Sequence, residues 1–181
     1  NIFLAFAPAM VIGAVVHDAL KAHFFNPVSV AVALILGGVA ILIIERKKPV
    51  PRIASTEAMG WKTALTIGFI QCISMIPGVS RSGATIMGAL AVGVERKAAA
   101  EFSFFLAVPT MFAAASYDMY KARHDIMGDG MDLIAIGFVV SFIVALLVIR
   151  WLLKFVQGHS FAVFAYYRIV LGAIILALVS F

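Results

Sequence analysis

The sequence is poor in almost everything a water-soluble domain relies on. Only 13% of its 181 residues are charged, while 64% are hydrophobic and the mean hydropathy is +1.08. That balance excludes a soluble globular domain and leaves a polytopic membrane protein. Cys72 is the single cysteine and lies in an apolar stretch, which excludes an internal disulfide and offers no thiolate metal site. There are nine acids, and none forms an i, i+4 pair inside an apolar helix. Asp125, Asp129 and Asp132 cluster in a loop, where a solvated turn is a better reading than a calcium site. No positively charged segment precedes the first apolar run, so the start is not a signal peptide. Beginning at Asn1 and already apolar at Ile2, the chain reads as the C-terminal part of a longer protein, with residues 1–181 forming one membrane domain. The net charge of +5 sits in short loops rather than on one face or arm, which argues against a nucleic-acid partner.

What is present is a series of apolar segments. The pattern predicts an all-α protein with about five transmembrane helices: Ile2–Val16, Val28–Ile44, Phe102–Tyr117, Leu133–Ile149 and Ser160–Phe181. A polar patch from His17 to Pro27 separates the first two, and the charges and prolines of Glu45–Arg52 end the second. His17, His23, His124 and His159 read as surface residues near loops. Nine of the fourteen Lys and Arg residues fall in loops on one side, three on the other, and two, Arg81 and Arg168, within segments. The richer side is expected to be cytoplasmic.

Residues 63–94 break the pattern. As one helix they would be about 48 Å long, against a hydrocarbon core of about 30 Å. Pro77-Gly78 interrupts them, and both outer flanks are basic: Lys62 before, Arg96 and Lys97 after. The segment is therefore read as a re-entrant helical hairpin with Ser80-Arg81-Ser82 near mid-depth. Irregular backbone there has to be covered by protein or line a cavity. Arg81 is the only charge between Thr63 and Val94. At bilayer depth an arginine costs from about 3 to over 10 kcal/mol, so it faces a cavity, a partner or a substrate. Its guanidinium can grip two phosphate oxygens. Ser80, Ser82 and Thr85 can donate to others, Gly78 and Gly83 permit close backbone approach, and Ser82 is expected to open the second half-helix with its free N–H groups.

Two phosphatase patterns fail here. A Cys-x5-Arg loop would need arginine where Gly78 stands, and a Ser-Arg-x5-His pattern would need histidine where Met87 stands. P-loop spacing is also absent. Glu101 reads as an acid near a helix N-terminus. Gln71 either lines a cavity or bridges helices. Tyr166-Tyr167-Arg168 is either an aromatic anchor with a snorkelling arginine or a second phosphate contact.

Pro77-Gly78-Val79-Ser80-Arg81-Ser82-Gly83-Ala84-Thr85 resembles the second signature motif of the bacterial undecaprenyl-diphosphate phosphatases, the bacitracin-resistance family. Ala100–Pro109 resembles the stretch that follows it, and Phe164–Arg168 the family's final helix. The resemblance runs along essentially the whole chain. It implies an inverted-repeat fold in the bacterial inner membrane and an enzyme that removes the terminal phosphate of undecaprenyl diphosphate. That activity recycles the carrier for peptidoglycan synthesis and confers bacitracin resistance. It also implies catalytic roles for Arg81, Ser80 and Thr85, with Ser82, Gly78 and Gly83 binding phosphate. The Mg²⁺ or Ca²⁺ it implies would take its ligands from the family's other motif, whose glutamates, serine pair and histidine have no counterpart here. The expected partners are thus the membrane, a polyprenyl diphosphate lipid, an N-terminal half of the same protein, and a second copy in a homodimer. A lipid transporter or flippase, also built from broken helices, is the competing class, with an inactive fragment as the third.

Overall fold

The computed structural model describes residues 1–47, 49–121 and 131–179, without the side chains of 17–19, 21, 22, 131 and 157. Among them are seven α-helices: α1 (Ile2–Phe24), α2 (Pro27–Lys47), α3 (Trp61–Cys72), α4 (Arg81–Ala91), α5 (Arg96–Lys121), α6 (Met131–Gly158) and α7 (Ala162–Val179). A single 3₁₀ turn, Ile73–Met75, extends α3. Four helices, α2, α5, α6 and α7, are long and apolar enough to cross a membrane. The fifth expected span, Ile2–Val16, is the apolar part of α1 and is shorter than those four. The all-α, multi-pass architecture is as expected.

The helices are longer than their apolar cores, because polar residues cap them rather than stop them. Asn26 Oδ1 accepts the N–H of Ser29 at 2.8 Å, and Pro27 occupies the first helical position, where no N–H is needed. Helix α2 then continues through Glu45 to Lys47, past the expected end, since Arg46 and Lys47 suit the negative end of the helix dipole. Helix α1 likewise runs on into the expected polar patch, to Phe24. Helix α5 begins at Arg96, ahead of the expected Phe102. Its capping acid is Glu95, whose Oε2 accepts from Lys97 N at 2.8 Å and Ala98 N at 3.1 Å. Glu101, expected in that role, instead pairs with Lys97 one turn away at 3.7 Å. His124, Asp125 and Asp129 lie outside the described residues, as do the side chains of His17 and Asp18.

Helices α2 and α7 pack closely because small residues let their backbones meet. A Cβ on Gly38 would lie 2.8 Å from Ala165 O, and one on Gly172 would lie 2.7 Å from Ala31 O. Helices α3 and α4 are short and pack on each other, on α1 and on α5. Their outer ends are clasped together. Arg52 N and Ile53 N both donate to Gly93 O, at 2.7 and 3.1 Å, and Glu95 N donates to Ile53 O at 2.8 Å. The segment that leads into α3 is therefore fastened to the exit of α4. The same end holds Arg96 against Glu45 of α2 at 2.8 Å. Helix α6 differs from all of these, because every described side chain from Asp132 to Val148 is exposed.

Candidate phosphate-binding site at the helix break

The break between α3 and α4 is a tight loop, and one glycine makes it possible. Gly78 has φ +90°, which L side chains adopt only with strain, and a Cβ there would lie 2.5 Å from Val30 O. The loop is thereby pressed against the first third of α2. Arg168 of α7 fixes it from the other side: its Nη2 donates to Gly78 O at 2.8 Å and to Ala33 O at 3.5 Å. Arg168 is thus neither a snorkelling anchor nor free for a ligand through that nitrogen. It is a strut between the last helix and the loop, and its buried Nε has no partner among the described residues.

Ser80 is the N-cap of α4, with Oγ accepting from Gly83 N at 3.0 Å. Arg81, not Ser82, is therefore the first helical residue, because serine in an extended conformation (φ −69°, ψ 124°) is among the best caps available. Regular bonding begins with Ala84 N on Ser80 O at 2.8 Å. The N–H groups of Arg81 and Ser82 have no acceptor among the described residues and stand at the positive end of α4. Ser80 Oγ and Ser82 Oγ lie 3.2 Å apart beside them.

Arg81 lies half-buried on the α5 side of α4. Its Nη1 donates to Ser103 O at 3.1 Å. No carboxylate approaches it among the described residues, so its charge is uncompensated. Thr85, one turn along, is 1% exposed and its hydroxyl sits 2.6 Å from Ser103 Oγ. It is also within 3.0 Å of Arg81 O and 3.2 Å of Ser82 O. If Ser103 donates to Thr85, Thr85 donates to those carbonyls and both hydroxyls are satisfied. Thr85 therefore does not present its hydroxyl to a ligand; with Ser103 it ties the first turn of α4 to α5. Sequence reading missed Ser103, whose signal is a hydroxyl in an otherwise apolar span.

The other face of α4 borders a groove of about 690 Å³ between α2, α3 and α4. Val28, Leu36, Ile41, Ile70, Gly83 and Met87 help to line it, and Ser29, Ser80 and Arg168 supply its polar side chains. The expected site residues are thus divided: Ser80 and Gly83 on the groove, Arg81 and Thr85 on the α5 side. Gln71 does not line the groove. It shares the buried face of Ala64, Ile67 and Gly68, is 2% exposed, and neither amide atom has a partner among the described residues.

A divalent cation does not fit this tip. The groups at hand are a guanidinium, hydroxyls and N–H donors, which suit an anion; hard cations take carboxylate and carbonyl oxygens. Among the described residues no three His, Cys, Asp or Glu side chains come together.

Four apolar spans, a clasped pair of half-length helices and an anion-suited break between them define a multi-pass membrane protein with a polar site built on broken helices. The chain belongs to the bacitracin resistance protein BacA family, whose model matches residues 1–174. It is 58% identical over 172 residues to an undecaprenyl-diphosphatase of Rhizorhabdus wittichii, covering 95% of this chain and 65% of the relative. It is 55% identical to one of Sphingopyxis alaskensis with the same coverage. It is 51% identical to undecaprenyl-diphosphatase 2 of Rhodospirillum rubrum, over 98% of this chain and 65% of that protein. The chain thus spans 65% of the length of each of these three relatives.

Proposed function

We propose that this chain supplies the phosphate-gripping part of an undecaprenyl-diphosphatase of the bacterial inner membrane. The assembled enzyme hydrolyses undecaprenyl diphosphate to undecaprenyl phosphate and phosphate, and so recycles the carrier for peptidoglycan synthesis. The observation that carries this reading is the half-buried Arg81, without an acidic partner among the described residues, at the N-terminal turn of α4. Two free N–H groups and the Ser80–Ser82 pair stand beside it. The name undecaprenyl-diphosphatase, carried by relatives more than half identical to this chain, supports the same activity.

In this reading the α3–α4 pair is a re-entrant hairpin, both of whose ends return to one side of the membrane. The apolar groove takes the polyprenyl chain, and the diphosphate crosses the start of α4 from Ser80 toward Arg81. Arg81 and the free N–H groups of α4 hold the terminal phosphate and stabilise charge on it as it is transferred. Ser80 shapes the turn, while Thr85 and Ser103 hold it in place. The nucleophile, the base and the ligands of a divalent cation lie outside this chain, in the part of the relatives' length that it does not span. The expected homodimer draws no support from the described residues.

The test is phosphate release from undecaprenyl diphosphate in detergent, with Mg²⁺ or Ca²⁺, after co-expressing this chain with the N-terminal third of a relative. Activity is expected only in the assembled pair. Arg81→Ala should reduce it by about 10²–10³-fold, the loss typical of removing one preorganised donor. Near-normal activity of the variant would overturn the role of Arg81. No activity despite demonstrated assembly would favour lipid transport or an inactive fragment.

A further inference from the structure

A second polar cavity lies at the clasped, basic end, well away from the helix break. Arg46 on α2 is separated from Gly37, which touches Arg168, by nine residues, or about 14 Å along the helix. The cavity has a volume of about 620 Å³ and is walled by Glu45, Arg46, Arg96, His159, Ser160 and Tyr166. Helices α2, α5, α6 and α7 all contribute to it.

Its charges are not balanced. Glu45 is fully engaged: Oε1 accepts from Arg96 Nη1 at 2.8 Å, and Oε2 accepts from Arg96 Nη2 at 3.3 Å and from Ser160 Oγ at 2.7 Å. Arg96 is held further by His159 O at 3.4 Å and by the ring of Phe161, 5.0 Å from its guanidinium carbon. This wall is neutral and rigid. Arg46 adds a full positive charge with no acidic partner among the described residues. The His159 ring stacks on Phe155 at 4.2 Å and its Nδ1 donates to Phe155 O at 3.1 Å, so its ring proton is committed to the protein. A cavity with one surplus cation and the Tyr166 hydroxyl on its wall, set at the end of membrane-spanning helices, suits a phosphate anion.

The surface beyond it distinguishes a lipid phosphate from a free one. Tyr166 lines the cavity, and from it an exposed stripe runs along α7: Val163, Tyr166, Val170 and Ile174, each at least half exposed. Their spacing of three and four residues places them on one face. An acyl chain hanging from a headgroup in the cavity would lie along that stripe.

We propose that this cavity binds the phosphate headgroup of an anionic phospholipid, with Arg46 as its main cationic contact and the Val163–Ile174 stripe as the bed of one acyl chain. The site is separate from the helix break and does not depend on the diphosphatase reading. The test is native mass spectrometry of the detergent-purified full chain, titrated with phosphatidylglycerol, phosphatidylcholine or inorganic phosphate. Arg46→Ala should weaken phosphatidylglycerol retention about tenfold, and Arg46→Lys should restore it to within about threefold. Lys154→Ala, which removes an exposed charge from the same end but outside the cavity, should change it less than twofold. Equal losses for Arg46→Ala and Lys154→Ala would reduce the effect to a general surface field and overturn the proposal. So would equal retention of phosphatidylcholine. Inorganic phosphate binding as tightly as the lipid would assign the cavity to free phosphate and overturn the lipid assignment. Unchanged far-UV circular dichroism of Arg46→Lys ties its rescue to the site rather than to folding.

Discussion

Helix α6 and the α3–α4 pair are both apolar, yet they use their hydrophobicity in opposite ways. Along α6 every described side chain from Asp132 to Val148 is exposed. Nothing in that stretch has to match a neighbour, because lipid tails solvate leucine and phenylalanine as well as protein does. In α4, by contrast, Thr85 to Leu90 are all buried. Apolarity in α6 ensures that the helix resides in the membrane. In the α3–α4 pair it encloses a cap, an uncompensated arginine and a strained turn. Hydropathy alone does not separate the two, whereas the polar exceptions do.

This contrast can be broken or sharpened by substitution. After Arg81→Ala, whose effect falls on activity, the largest expected loss of stability is for Gly78→Ala. The positive φ and the clash with Val30 O should together cost about 3 kcal/mol, read as a lowered midpoint of denaturant unfolding in detergent. Arg168→Ala comes next at about 2 kcal/mol, because it strips a charged donor from Gly78 O and leaves that carbonyl without its partner. Ser80→Ala should cost about 1 kcal/mol through the lost cap, while Ser80→Asp, which can still cap, should cost less. The smallest effect is expected in α6. Phe138→Ala, at a side chain 73% exposed, should change stability by no more than about 0.5 kcal/mol. A Phe138→Ala loss as large as that of Gly78→Ala would show that α6 packs against protein rather than lipid, and the comparison would fail.

The spans and the break at Pro77-Gly78 were legible in the sequence, because each depends on local composition. Helix ends were less so. Residues such as Asn26 and Glu95 resemble loop residues until their side chains are seen turning back onto backbone N–H groups. Contacts across the chain were not legible at all. Arg168 reaches a carbonyl 90 residues away, and Thr85 meets Ser103 on another helix. The division of the tip between two faces of α4 follows from such contacts, so no reading of the nonapeptide alone could give it. Arg168 shows the cost: no local reading of Tyr166-Tyr167-Arg168 gives its bond to Gly78 O.

The small clasp between Ile53 and Val94 carries a consequence of its own. Because it fastens the segment that leads into α3 to the exit of α4, the distance from clasp to tip works as a ruler. Adding or removing a residue on one arm alone would tilt the tip rather than raise it, and would pull Gly78 away from Val30 and Arg168 together. Only paired changes in both arms would move the arginine to a new distance from the clasp while keeping its aim. The distance of this site from the clasp is therefore written in the lengths of two short helices, and length is a property that evolution or an engineer can vary only in step.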